Sequence, residues 1–368
     1  MPEATDHSAP DHNVKKERSA SACTVAQLDQ FDEIIDTRSE DEFAEDHIPG
    51  AINLPVLNNA ERAQVGTLYK QVSPFSAKVT GAALVSANIA RHLRERLHDR
   101  PREWRPLVYC WRGGGRSGAF AHVLTQIGWR TGRLAGGYKA YRRAVIDELQ
   151  ILPARFDWRV VCGMTGTGKS RLLRALHGQG AQVLDLEELA AHRGSVLGNL
   201  PDAAQPPQKL FESRVWHALK HLDAGRPVFV ESESKKIGVL RVPEALIDAM
   251  WQSACVVIEA PMAVRVRLLK EEYAHFLEDA ALLNAQLDCL RALHGNAVIG
   301  EWQALARAGD WDRLTEELLA RHYDPAYTRA IVSHYPRLPQ ATHFALDDNT
   351  DAAMVQLARK VMLTIPGR

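Results

Sequence analysis

The sequence predicts an α/β protein in two parts, each built on a parallel sheet, with a helical C-terminal region. Three observations carry that prediction. Short apolar stretches such as Leu107-Val108 and Val160-Val161-Cys162 alternate with helical patterns, as strand–helix–strand units require. Two glycine-rich loops, residues 108–118 and 163–170, each stand between a strand pattern and a helical one. A chain of 368 residues is also long for one domain and comfortable for two.

The divisions follow from composition. Residues 1–22 are polar and turn-rich and read as a disordered tail; 23–148 form the first domain. Residues 149–157, broken by Pro153, read as a linker, and 158–368 as the second domain. Hydrophobic content of 46% and charged content of 24% are those of a soluble globular protein. No apolar run approaches the roughly 20 residues of a membrane span. The start, Met-Pro-Glu-Ala-Thr-Asp-His, lacks a signal peptide's basic and apolar segments. Five scattered cysteines without a Cys-x-x-Cys pair argue against disulfides and structural zinc, and for the cytoplasm.

In the first domain, residues 33–36 read as a strand leading into Asp36-x-Arg38-Ser39-x-x-Glu42-Phe43. His47-Ile48-Pro49-Gly50-Ala51 then makes a turn, and residues 80–98 form a helical stretch. The next strand ends at Cys110, followed by Trp111, Arg112, Gly113, Gly114, Gly115, Arg116 and Ser117. A glycine-rich turn into a helix N-terminus gathers backbone N–H groups around one point, which suits an anion. Those dipoles, with Arg112 and Arg116, lower the pKa expected of Cys110. The loop suits either transfer of a Cys-bound sulfur or selenium or phosphatase chemistry through Cys-x5-Arg. A buried structural cysteine is the third reading.

These motifs, with Gly136-Gly137-Tyr138-Lys139, together resemble a rhodanese domain over about residues 25–147. The same fold houses Cys-x5-Arg phosphatases, which generally place histidine before the cysteine. Tyr109 stands there, which favours chalcogen transfer. By this resemblance Asp36 and Arg38 read as supports for the loop rather than reactants.

The second domain opens with a strand pattern at 159–162 and Gly163-Met-Thr165-Gly166-Thr167-Gly168-Lys169-Ser170, ahead of a helix at 171–177. This is the Gly-x4-Gly-Lys-Ser phosphate loop in its proper context. Its backbone would wrap a phosphate, Lys169 would bridge outer oxygens, and Ser170 could hold Mg²⁺. Two later strand patterns end at Asp185 and Glu231, candidates to orient a metal or water; solvated strand ends or helix caps would look the same. No dedicated metal site is expected. Arg265, Arg267 and Lys270, after Pro261, read as a continuation of the phosphate-binding face.

Net charge is zero, yet residues 128–143 hold Arg130, Arg133, Lys139, Arg142 and Arg143 without an acid. Residues 91–105 carry six arginines against Glu95, Asp99 and Glu103. Local basic faces are what contact with a nucleic-acid backbone requires, although solvated helix faces would look alike.

A rhodanese domain joined to a phosphate loop, with Asp185-Leu-Glu-Glu-Leu-Ala-x-His192-Arg-Gly-Ser195, Gln205-Pro-Pro-Gln208 and Glu231-Ser-Glu-Ser-x-x-Ile237-Gly238, resembles the tRNA 2-selenouridine synthase family. The resemblance implies geranylation of the sulfur of wobble 2-thiouridine from geranyl diphosphate, then displacement by selenium from selenophosphate. It implies tRNA as partner, no tightly bound cofactor and no membrane; a monomer is the expectation. A plain sulfurtransferase or a Cys-x5-Arg phosphatase, each with an accessory NTPase, remains open. So does a kinase carrying a non-catalytic rhodanese-like module.

Overall fold

The computed structural model describes residues 19–365. By contact it divides into two units, Met1–Tyr141 and Arg142–Arg368. Each is built on a five-stranded parallel sheet flanked by helices, and the later part of the second is helical, the class the sequence predicts.

The strands in chain order are β1 Ser21–Cys23, β2 Glu33–Asp36, β3 Ile52–Asn53, β4 Pro106–Tyr109 and β5 Gly132–Leu134 in the first unit. The second holds β6 Asp157–Cys162, β7 Gln182–Leu184, β8 Pro227–Glu231, β9 Lys236–Ile237, β10 Leu240–Arg241, β11 Ala254–Glu259 and β12 Thr342–Ala345. The first sheet runs β1-β5-β4-β2-β3 and the second β12-β11-β6-β8-β7. β9 and β10 form a separate antiparallel ribbon.

Both reactive loops leave a middle strand. β4 lies between β2 and β5, and every one of its residues is buried. β6 lies between β11 and β8, with Val160, Val161 and Cys162 buried. A strand covered on both faces has no polar side to alternate with, so it reads as an unbroken apolar run. Helices Gly115–Ile127 and Lys169–Gly178 follow the two loops. Phe120, Ala121 and Leu124 of the former pack with Ile35, Leu54 and Val108, while Leu172, Leu173 and Leu176 of the latter pack with Val161, Val256 and Ile258. A third cluster around Trp302, Leu287 and Leu314 joins the C-terminal helices.

Four expectations change. Of the stretch expected to be a disordered tail, residues 1–18 lie outside the described residues, and Ser21–Cys23 is a strand paired with β5. Helix Pro74–His92 begins earlier than residue 80, with Ser73 accepting the Phe75 N–H at 3.2 Å as its cap. Residues 149–157 are no loose tether: Leu149, Leu152 and Pro153 are buried, and the Trp158 indole donates to the Pro153 carbonyl at 2.8 Å. The division falls inside helix Gly137–Leu149 rather than after residue 148. The helix's last turn is held in the second unit, where Trp216 Nε1 and Lys220 Nζ both donate to Glu148.

Under the first reactive loop lies a buried ion pair. Arg38 Nη2 stands 2.6 Å from Asp36 Oδ2, with side chains 1% and 0% exposed. The same nitrogen donates to the Asp46 carbonyl at 2.6 Å. Asp36→Ala would strand the guanidinium in the core, so urea unfolding should show a loss of roughly 3–5 kcal/mol. A loss under about 1 kcal/mol would mean that solvent reaches Arg38.

Candidate functional site

The first site is the loop after β4. Cys110 is buried, and Ser117 Oγ donates to its Sγ at 3.2 Å. Burial alone would push this thiol's pKa up. The Ser117 hydroxyl, the Ser117 N–H, the Arg116 charge and the Arg112 N–H outweigh it, so the pKa falls below the ordinary thiol value. Arg116 sits in an ion pair with Glu42 at 3.0 Å, and Glu42 also pairs with Arg62 at 3.2 Å. Arg112 reaches the thiol through its backbone, and its side chain is exposed.

The Gly136-Gly137-Tyr138-Lys139 motif holds this loop in place. The N–H groups of Tyr138 and Lys139 donate to the carbonyls of Cys110 and Trp111, at 2.8 and 3.0 Å. Gly137 adopts φ +59°, and a Cβ there would lie 2.2 Å from the Cys110 oxygen. Gly113 meets the other side, where a Cβ would stand 2.8 Å from the Leu134 oxygen. Only glycine permits these approaches. Gly114 and Gly115 face open space.

The second site is the phosphate loop after β6. Lys169 Nζ donates to the Gly163 carbonyl at 2.7 Å, and the Gly163 N–H donates to Tyr327 Oη at 2.7 Å. Thr167 Oγ1 donates to the Met164 carbonyl at 2.8 Å, and Gly166 and Gly168 take positive φ. Thr165, Gly166, Gly168, Lys169 and Ser170 line a cavity of about 730 Å³. Facing them are Glu187, Glu233, the 192–195 loop and Tyr273, Tyr323, Tyr327 and Tyr335. A smaller apolar pocket of about 70 Å³ shares Thr165, Ser195, Leu269, Tyr273 and Tyr323 with this cavity. Phe276, Leu277, Leu283, Trp311, Leu314 and Leu318 are among its other walls.

Ser170 Oγ donates to Glu187 at 2.6 Å. Asp185 borders the cavity and caps a short helix by accepting the Glu188 N–H at 2.8 Å. Glu231 is buried and accepts the Glu187 N–H at 2.9 Å. Burial and mutual repulsion raise the pKa of Asp185, Glu187 and Glu231. Burial, then the Glu187 charge, pushes Glu233 up to about 8. Among the described residues no group of three or more His, Cys, Asp or Glu side chains is placed to hold a metal ion.

Several predicted cations are engaged elsewhere. Arg265 is buried, donating to the Thr165 carbonyl at 2.8 Å and to Asp324 at 3.0 Å, so it braces the phosphate loop from behind. Arg267 donates to Asn349 at 2.8 Å and Lys270 to Asp312 at 2.6 Å, which removes them from a phosphate-binding face. Arg142 is tied to Glu212 and to the Lys209 carbonyl. Arg130, Lys139 and Arg143 are exposed, while Arg133 is half-buried against Gly118. Glu187 and Glu233 were legible within their motifs as acids near a phosphate loop. Tyr327 and Tyr273 carried no signal, because nothing local marks them.

Residues 22–144 match the rhodanese-like domain family, and residues 156–288 match the family described as the tRNA 2-selenouridine synthase AAA domain. The tRNA 2-selenouridine synthase of Aeromonas salmonicida is 38% identical over 247 residues, 66% of this chain and 65% of that protein. The match thus spans just under two thirds of that relative's own length. The Pseudomonas fluorescens protein of the same name is 34% identical over 322 residues, covering 80% of this chain and 87% of the relative. Among solved structures, a rhodanese-related protein from Thermoplasma volcanium is 19% identical with a TM-score of 0.22, covering 35% of this chain and 92% of that one. No helix among the described residues is long and apolar enough to cross a membrane.

Two outcomes check this geometry. Gly137→Ala should lose at least about 2 kcal/mol in denaturant unfolding, whereas Gly115→Ala should stay within about 0.5 kcal/mol. Equal losses would contradict the close approach at Gly137. The second outcome concerns pH. With a folded pKa of about 8 against an ordinary 4.5, Glu233 contributes stability that is full below 4.5 and lost as pH rises through 8. The Tm of Glu233→Gln should therefore gain on wild type between about pH 5 and pH 8, and a constant gap would refute the assignment.

Proposed function

The chain belongs to the tRNA 2-selenouridine synthase family, and on that premise we propose that it exchanges sulfur for selenium at C2 of wobble 2-thiouridine in tRNA. In the first step the thiocarbonyl sulfur attacks C1 of geranyl diphosphate, the C–O bond breaks, and diphosphate leaves. In the second, the selenium of selenophosphate attacks C2, the geranyl thiol departs, and water cleaves the remaining Se–P bond to release phosphate and leave 2-selenouridine. Sulfur on the base leaves poorly; alkylation neutralises it and improves its departure.

One observation carries the reading: the phosphate loop and an apolar pocket share walls. A diphosphate would lie against the 163–170 backbone and Lys169, and a short isoprenoid chain would run past Tyr273 and Tyr323 towards Leu314 and Leu318. Lys169 would stabilise the charge that builds on the leaving diphosphate. Ser170 and Glu187 would hold Mg²⁺, and the raised pKa values of the surrounding carboxyls fit a cation at that place. Such an ion would supply Lewis-acid neutralisation of the diphosphate oxygens.

In the first unit, the Cys110 loop would take selenophosphate. The N–H groups converging on the Cys110 sulfur and the Arg116 charge would neutralise the bound anion. Tyr109, which occupies the place of the phosphatase histidine, is fully buried, and its hydroxyl accepts the Ile48 N–H at 3.3 Å. That position offers no proton to a leaving group.

The test uses purified full chain and a tRNA bearing 2-thiouridine, with digested nucleosides weighed by mass spectrometry. Geranyl diphosphate alone should yield the S-geranyl nucleoside, and both reagents together 2-selenouridine. Lys169→Ala should slow geranylation on the order of 10²-fold or more. Cys110→Ser should stop at the geranylated nucleoside. A nucleoside mass that never changes with wild type would sink the proposal. Full selenation by Cys110→Ser would move selenium handling away from the Cys110 loop.

A further inference from the structure

Next to Cys110 stands a side chain that the transfer chemistry leaves unused. Trp111 is 40% exposed, while Trp104, Trp158, Trp216 and Trp302 are buried. A single exposed aromatic is ordinary, so the weight falls on what holds this ring and what surrounds it.

The ring is also held from behind. Trp111 stacks on Tyr138 with centroids 5.2 Å apart and planes 29° apart. Tyr138 is buried, with the Arg38 guanidinium 4.0 Å from its ring centroid, and its hydroxyl donates to Asp46 Oδ2 at 2.8 Å. Arg38 is fixed in turn by Asp36 and the Asp46 carbonyl. The Trp111 carbonyl accepts the Lys139 N–H at 3.0 Å, which fixes the backbone as well. A flat, preordered aromatic surface therefore opens to solvent one residue from the reactive thiol.

The acids that reach this neighbourhood, Glu42 and Asp46, are engaged by Arg116 and Arg62 and by the Tyr138 hydroxyl. Arg112 and Lys139 are exposed beside the ring, and no Asp or Glu occurs between Glu103 and Asp147. A π surface among cations suits an anion that carries flat rings. A base stacks on an aromatic face whatever its identity, while lysine and arginine meet the backbone phosphates.

We infer that Trp111 is a stacking platform for an unpaired base of the RNA partner, holding it at the mouth of the Cys110 loop. Arg112 and Lys139 contact the flanking phosphates. Trp111 is a positioning residue, since the transfer itself belongs to Cys110. This rests on the proposed tRNA substrate.

The test measures binding of fluorescently labelled tRNA bearing 2-thiouridine to the full chain by anisotropy, beside Trp111→Ala and Trp111→Phe. Trp111→Ala should weaken binding about tenfold or more, and Trp111→Phe should recover most of it. The rate at which iodoacetamide alkylates Cys110, followed by peptide mass spectrometry, should be the same in all three, which a collapsed loop would not allow. Trp111→Ala binding within about twofold of wild type overturns the inference. So does a Trp111→Phe variant as weak as Trp111→Ala, or altered alkylation, either of which assigns Trp111 to the loop's support. Selenation is assayed separately. If wild type binds tRNA and loses binding with Trp111→Ala but never selenates, the transfer reading fails and the platform stands. If selenation proceeds with the same KM for tRNA in Trp111→Ala, the platform fails alone. A wild-type chain that binds no tRNA overturns both.

Discussion

A turn that gathers N–H groups around one point leaves its own carbonyls and outer N–H groups to be satisfied, and this requirement organises both units. In the first, the carbonyls of Cys110 and Trp111 take the N–H groups of Tyr138 and Lys139. In the second, Lys169 donates to the Gly163 carbonyl, Tyr327 accepts the Gly163 N–H, and Arg265 donates to the Thr165 carbonyl. With its outward groups satisfied, each loop keeps one fixed concave face. A preordered face of this kind would take an anion without first ordering the chain.

The two sites differ in charge, and the difference suits their chemistry. Around Cys110 the stabilising influences are hydrogen-bond donors and an arginine, so the thiol's pKa falls despite burial. Around the phosphate loop, Asp185, Glu187, Glu188, Glu233 and Glu272 line a cavity with Lys169, Arg174 and Arg193, and burial raises the pKa of Glu187 and Glu233. A site of the first kind is ready to accept an anion or act as a nucleophile. One of the second kind gains from a bound cation before it meets a diphosphate.

Aromatic side chains link support to ligand in both places. Tyr138 rests on the buried Arg38–Asp36 pair and carries Trp111 outward. Tyr273 belongs to the walls of both the phosphate cavity and the apolar pocket, and its hydroxyl lies 3.1 Å from Ser195 Oγ. In each case a large ring provides flat area while its polar end is anchored by a hydrogen bond.

The strand at residues 33–36, the run into Cys110 and the phosphate loop were legible in the sequence. In each, the local pattern states its own backbone need: an apolar run for a strand buried on both faces, or glycine where φ is positive. Other features became visible only in three dimensions. Tyr327 meets Gly163 across 164 positions of chain, and Arg265 meets Thr165 across 100. Arg265, Arg267 and Lys270 looked like one basic face until Asp324, Asn349 and Asp312 were found against them. Similarly, Leu149 and Leu152 sat in a stretch that composition marks as a linker, and packing buried them. Sequence alone determined the two reactive loops, because turn geometry is written in adjacent residues. Tertiary structure decided which charges stay available and which aromatics face a ligand, because those outcomes depend on partners that no local pattern names.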